Sequence, residues 1–195
     1  MLIILSVFAA FYVILKVGKK INWNSEYEVG QVLDEYNGVK VYYNGGVSNI
    51  EGRNVSKDGY NIGMKYQCVE FIKRYYYEKL NHKMPDSYGN AIDYFDPSVK
   101  DGDVNVKRNL SQFSNQSASL PKEEDIIVFD KTILNPYGHV AIVSKVYNDS
   151  IEIIQQNPGV FSHSRESIKY HKSDNHWIID NSRVLGRLRI INKKF

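Results

Sequence analysis

Cys68 is the only cysteine among 195 residues, and it stands in Lys65-Tyr66-Gln67-Cys68-Val69-Glu70-Phe71, where a helical pattern begins. A lone cysteine is either a small buried hydrophobe or a reactive thiol. The start of a helix offers unpaired N–H groups and partial positive charge, which favour thiolate over thiol and lower the expected pKa. A thiolate is the nucleophile that amide hydrolysis needs. His139 opens an alternating stretch just after Pro136-Tyr137-Gly138. A histidine at a strand end has a fixed backbone and an accessible ring, as a proton acceptor requires. Gly138 beside it permits close approach by another chain segment or a substrate. A third group should accept a hydrogen bond from the second imidazole nitrogen and fix the tautomer. Gln155 and Asn157, two residues apart on the following strand, share one face. Hairpin parity decides whether that is the face of His139. An odd loop pairing Tyr147 with Ile151 puts residues 155 and 157 there, whereas a two-residue turn puts Gln156 and Glu152 there instead. For an oxyanion the backbone N–H of Cys68 is the natural donor, with Gln67 as an assisting side chain. One such donor is worth about two to three orders of magnitude in rate. The other role open to Gln67 is a hydrogen bond to backbone at the helix terminus.

These residues need elements to hold them. The run 67–80 reads as a helix, with Val69, Ile72, Tyr76 and Leu80 on one apolar stripe and Glu70, Lys73, Arg74 and Glu78 on the opposite, polar side. Tyr75-Tyr76-Tyr77 reads as core and surface packing rather than the floor of a cleft. A second, shorter helix is expected around 88–95, and 98–119 reads as a long polar surface loop. Strands are expected at 39–43, 126–129, 139–146, 151–156 and 184–190, with Asn148-Asp149-Ser150 as a turn between the third and fourth. Helices first and strands later point to an α+β domain with helices packed on an antiparallel sheet.

With 43% hydrophobic and 24% charged residues, the length suits one globular domain with a sizeable core and no need of disulfides. The formal net charge is +3, but Lys16, Lys19 and Lys20 lie in the first twenty residues. The remainder holds 22 basic and 22 acidic residues, so a nucleic-acid partner has no electrostatic footprint. Residues 2–15 are apolar apart from Ser6 and Tyr12. The stretch 2–18 is short for a bilayer, but Lys16 can snorkel. The expectation is a hydrophobic helix over 1–20 acting as a single-pass membrane anchor, its side undecided, then a polar linker over 21–27 and a domain over 28–195. His163, His171 and His176 lie in a polar stretch without cysteines or paired carboxylates at ligand spacing, so no metal is expected. No phosphate loop or dinucleotide fingerprint is present, and no cofactor is expected.

Three blocks, Gln67-Cys68-Val69-Glu70-Phe71, Gly138-His139-Val140-Ala141-Ile142 and Gln156-Asn157, resemble the CHAP family of cysteine, histidine-dependent amidohydrolases and peptidases. Within that family the likeness runs to the amidase domain of glutathionylspermidine synthetase/amidase. It is carried by Lys65-x-Gln67-Cys68-Val69-Glu70-Phe71-x-x-Arg74, by Gly38-Val39-x-Val41-Tyr42, by Pro121 with the apolar run after it, and more weakly by Leu185, Gly186 and Arg189. The resemblance spans about residues 28 to 190. It implies a papain-like fold in which the cysteine attacks a carbonyl, the histidine activates it and a glutamate orients the histidine. That glutamate falls on Gln155 here. A glutamine still accepts the imidazole N–H, as the asparagine of papain-like enzymes does, but it does not stabilise imidazolium by charge. Glu152 or Asp130 takes its place if the register differs, and Asn157 is a further amide candidate.

The expected function is hydrolysis of an amide bond through an acyl-thioester on Cys68. The partner is a small peptide or peptide–polyamine substrate such as a glutathionylspermidine-like conjugate, or a peptidoglycan peptide. The rival readings are a binding module for cell-wall peptide on the same fold, and an acyltransferase using the same thioester.

Overall fold

The computed structural model describes residue 13 and residues 17–190. The chain begins with two small antiparallel ribbons. Strand β1 (Val32–Tyr36) pairs with β2 (Val39–Tyr42) around Asn37-Gly38, both residues at positive φ, the geometry a two-residue hairpin turn demands. Strand β3 (Arg53–Val55) pairs with β4 (Asn61–Met64) and lies against the start of the helix α1 (Cys68–Leu80). After a 3-10 turn (Ile92–Tyr94) come β5 (Val104–Asn105), β6 (Leu110–Ser114), β7 (Ile126–Phe129), β8 (His139–Val146), β9 (Ser150–Ile154), β10 (Arg165–Ser173), β11 (His176–Ile179) and β12 (Val184–Arg189). These eight strands form one antiparallel sheet in the order β11-β10-β9-β8-β7-β12-β6-β5.

The sheet separates two apolar clusters. One lies between α1 and the sheet and contains Phe71, Ile72, Tyr75, Tyr76, Val140 and Ile142, all essentially without exposure. The other fills the opposite face with Ile127, Ala141, Val143, Ile151, Ile153 and Ile168. The second face is covered because the sheet rolls on itself. Trp177 of β11 exchanges backbone hydrogen bonds with Ser117, just beyond β6. Strand β8 is therefore buried on both faces from His139 to Ser144. Each fully buried aliphatic or aromatic side chain of this kind contributes about 1.5–3 kcal/mol, which fixes the strand carrying the histidine.

Several expectations need correction. Among the described residues α1 is the single full α-helix, so the molecule is mostly β rather than several helices packed on a sheet. The expected helix at 88–95 contracts to one 3-10 turn. The expected loop at 98–119 contains β5 and β6, whose polar alternation hides an edge hairpin against β12. Glu70, Lys73 and Arg74 are not a solvated face but are buried, because the β3–β4 ribbon and the chain at Ser87 cover that side. Tyr75 and Tyr76 are core, as expected.

The membrane-anchored, single-pass localisation is also corrected. Among the described residues no helix is long and apolar enough to cross a membrane. The stretch 2–18 on which that expectation rested lies, apart from 13, 17 and 18, outside the described residues. The expected linker packs on the body, where Tyr43 donates a hydrogen bond from Oη to Asn22 Oδ1 at 2.7 Å.

Candidate active site

Cys68 is the first residue of α1, preceded by Gln67 in extended conformation. The helix packs on β8, and the backbone N–H groups of Val140, one residue beyond His139, and of Val69 and Cys68 favour the thiolate of Cys68. The fold thus brings the thiol to the backbone that carries the imidazole, although the two residues are 71 apart in sequence. No hydrogen bond joins the two side chains among the described residues. Such bonds are often long in ligand-free sites and tighten around substrate.

A β-bulge settles the register around Gln155. The β8–β9 turn is short, with Tyr147 N–H bonded to Ser150 O, and Val146 pairs with Ile151. That parity alone would turn Gln156 and Glu152 toward the face of His139. The register shifts between Val143 and Lys145, so Ile142 pairs with Ile154 and every residue beyond is turned over. Gln155 then faces His139, and its Oε1 lies 2.9 Å from the imidazole Nε2. The Gln155 amide is pinned by its Nε2, which donates to His163 O at 3.2 Å. An amide oxygen only accepts, so His139 carries its proton on Nε2 and leaves Nδ1 as the free base. Gly138 has φ +73°, and a Cβ there would meet Phe129 O at 2.7 Å. The close approach anticipated at this glycine is by the chain's own β7.

Glu152 and Asp130 are not on the imidazole. Glu152 accepts from Ser144 Oγ and from Arg165 Nη1, each at 2.7 Å, and Asp130 Oδ1 accepts from the Lys131 N–H. Gln67 is committed elsewhere too. Its Nε2 donates to Val47 O and Asn49 O, and its Oε1 accepts from Asn157 Nδ2 at 2.8 Å. Asn157 Nδ2 also donates to Val47 O at 2.9 Å. Both amides staple the loop at 47–49 to the helix start, so of the two oxyanion donors considered, only the Cys68 backbone N–H is not tied into that loop.

Burial overrides the helix terminus in setting the charge state. Desolvation pushes the Cys68 thiol up to about 11, against the pull of the three N–H groups. The same cause pushes His139 down to about 4, with Arg183 adding to the fall and the Gln155 hydrogen bond opposing it. The resting pair is neutral thiol and neutral imidazole, not the lowered thiolate that the helix start predicts.

Beneath this pair lies a charged brace that sequence reasoning missed. Glu70 Oε1 accepts from Arg74 Nε at 2.8 Å and from Asn54 Nδ2 at 2.8 Å, and Glu70 Oε2 accepts from Gln156 Nε2 at 2.9 Å. Gln156 also donates to Gln67 O at 3.0 Å and accepts the Tyr42 N–H at 2.8 Å. Helix start, β2 and the end of β9 are locked together in this way. The available signal was that Glu70 and Arg74 recur in the family-like motif, whereas ordinary helix periodicity places them outside.

His139 and Gln155 line a cavity of about 690 Å³ with Phe129, Leu134, Glu166 and Arg183. A neighbouring cavity of about 480 Å³ shares Gln155, Pro158, Val160 and Ser162 with it and is bounded by Tyr43 and Asn157. Among the described residues no three His, Cys, Asp or Glu side chains are placed to hold a metal ion.

The family model described as CHAP domain matches residues 58–157, a stretch that contains Cys68, His139 and Gln155. Trypanothione synthetase of Crithidia fasciculata is 27% identical over 108 residues, covering 55% of this chain and 17% of that protein. Glutathionylspermidine synthase of the same organism is 31% identical over 120 residues, covering 58% of this chain and 16% of that protein. The matched part is thus a small fraction of either relative's length.

Proposed function

The chain belongs to the CHAP domain family, and from that premise we propose that it is a cysteine-dependent amidase acting on the amide bond of a peptide–amine conjugate. We read residues 28–195 as the catalytic domain. The observation that carries the proposal is the convergence at one end of β8: a pinned Gln155 amide 2.9 Å from His139 Nε2, and Cys68 at the start of the helix that packs on the same strand.

The reaction runs from the neutral pair. As Cys68 Sγ attacks the carbonyl carbon, its proton passes to His139 Nδ1, so C–S bond formation and S–H cleavage proceed together. The carbonyl oxygen takes up negative charge against the Cys68 N–H at the helix start. The proton on Nδ1 then goes to the leaving amine, the C–N bond breaks and an acyl-thioester remains. Water attacks the thioester with His139 again as base, which releases the carboxylic acid and restores the thiol. Gln155 holds the imidazole in the tautomer this sequence needs. Its neutrality gives no charge stabilisation to the imidazolium that forms in passing.

The substrate we favour is a glutathionylspermidine-like conjugate, supported by the likeness to a relative named for its synthesis; the rest of that relative has no counterpart in the matched segment. A peptidoglycan peptide is the competing substrate within the same chemistry. One observation favours a different reading. A buried thiol held near 11 and a neutral third residue also suit a binding module that retains the fold without turnover. Turnover of glutathionylspermidine and of purified peptidoglycan by the wild type and by Cys68→Ala decides among the three. Release of spermidine, lost in Cys68→Ala, supports the favoured reading. Peptide release from peptidoglycan alone moves the substrate. Binding without turnover of either leaves the module.

A further inference from the structure

We propose that the loop at 132–137 carries a subsite for a primary alkylammonium group, and that the chain's own Lys19 occupies it. Lys19 Nζ donates to Leu134 O at 2.7 Å. Gly18 and Lys19 form part of the wall of the same 690 Å³ cavity that His139 and Gln155 line. The segment is seated at its other end as well, since the Lys19 carbonyl accepts the Ser48 N–H at 2.9 Å. Gly46 is packed against it. A Cβ at Gly46 would press into Lys19 O and come within 2.6 Å of the Lys20 carbonyl carbon. Lys19 therefore bridges the two lips of the cleft. One is the loop at 46–49, stapled to Gln67 and Asn157, and the other is the loop that leads into His139.

The receiving loop is built to present an acceptor. Thr132 N–H bonds to Asn135 O at 2.8 Å, Asn135 N–H bonds to Thr132 Oγ1 at 2.9 Å, and Asn135 Nδ2 donates to Gly138 O at 2.8 Å. These bonds close the loop on itself and fix it beside the histidine. The Leu134 carbonyl is turned outward and, among the described residues, accepts only from Lys19. Glu166 on the same cavity wall adds a carboxylate. An outward carbonyl is an acceptor an ammonium ion can take, and the carboxylate adds negative charge to the same cavity.

Its position defines what it recognises in a substrate. The amine that His139 protonates leaves on the side of His139, so the loop next to it contacts the leaving group. A leaving amine bearing a second ammonium on an alkyl chain fits, and Lys19 is an alkylammonium of that kind supplied by the chain itself. Polyamines and lysine-type peptide side chains share this chemistry. Lys19 then acts as a tethered competitor, present at an effective concentration on the order of millimolar. If it is docked nine-tenths of the time, apparent affinity for a free amine falls about tenfold.

The subsite rests on the reading of the cleft given above, but its test requires no turnover. Protection of Cys68 from iodoacetamide in mildly alkaline buffer is measured for the full chain with spermidine, with Nα-acetyl-lysine amide and with n-butanol. The same is done for Lys19→Ala, which empties the subsite, and for Gly46→Ala, which displaces the backbone and leaves the lysine intact. The inference predicts that half-protection in both variants needs about tenfold less amine than in the wild type, and that n-butanol does not protect. Stronger protection by spermidine identifies a polyamine as the source, and stronger protection by the lysine derivative identifies a peptide. Equal amine protection in the wild type and both variants overturns the inference, as does protection by n-butanol matching that by the amines. A chain that hydrolyses no amide but shows the predicted protection separates failure of the amidase reading from failure of the subsite.

Discussion

Two polar clusters meet at the start of α1, and they treat charge in opposite ways. The brace of Glu70, Arg74 and Gln156 is buried and ionic, and the Glu70 carboxylate is met by Arg74, Asn54 and Gln156. The centre formed by Cys68, His139 and Gln155 is also buried, yet it holds no charge at rest, with the thiol near 11 and the imidazole near 4. Burial is tolerated by the ion pair because its partners are built in, and unpartnered ionisation is too costly for Cys68 and His139. The lesson is that the fold confines permanent charge to the scaffold and keeps the Cys68–His139 pair neutral at rest.

The largest effect should come from the cluster of Cys68, His139 and Gln155. Cys68→Ala should lower turnover by on the order of a thousandfold or more, measured on whichever amide substrate proves active. Turnover that survives the substitution would remove the centre from the comparison. On the scaffold side, Glu70→Ala leaves Arg74 buried without its partner and should cost about 3–5 kcal/mol of stability in denaturant unfolding. A loss under about 1 kcal/mol would be the behaviour of a surface pair and would erase the contrast.

The neutral histidine has its own signature in stability. Its pKa falls from 6.5 unfolded to about 4 folded, so between those values the unfolded chain binds the extra proton. Stability from this group is fully present above pH about 6.5 and is lost as pH falls through about 4, amounting to about 3 kcal/mol. His139→Gln should remove that segment of the acid-unfolding curve, and an unchanged curve would count against a neutral buried imidazole. The smallest change is Gln155→Glu, which places a carboxylate where the amide oxygen now sits. It should raise the His139 pKa and speed Cys68 alkylation at neutral pH by about tenfold for each unit of pairing gained. No change would mean that the third position does not communicate with the thiol.

The sequence made parts of this legible for physical reasons. The strand 139–146 and its partner were readable as apolar runs bounded by turn residues, with Val140 and Ile142 toward α1 and Ala141 and Val143 on the opposite face, where the bulge also puts Val146. The positions of Cys68 and His139 followed from local rules, a helix start and a strand start. The face of Gln155 did not, because one bulged residue between Val143 and Lys145 reverses parity and carries no mark in the residue types. The hairpin of β1 and β2 was announced by Asn37-Gly38 but only β2 was expected, since Val32 to Tyr36 is too polar to show alternation. Helix periodicity placed Glu70 and Arg74 in water because it records one buried stripe, and α1 is covered from a second side by β3 and β4. The lowered thiol pKa expected at a helix start failed because that rule assumes partial exposure, while Cys68 is buried.

The neutral resting pair is tested most directly by the pH dependence of Cys68 alkylation with iodoacetamide, followed by mass spectrometry on the intact chain. With the thiol near 11 and the imidazole near 4, only roughly one molecule in ten thousand is thiolate at pH 7. The rate should climb about tenfold per pH unit from neutrality toward 11, with no plateau between. A rate that levels off below neutral pH would reveal a thiolate–imidazolium pair already formed at rest and would contradict the account.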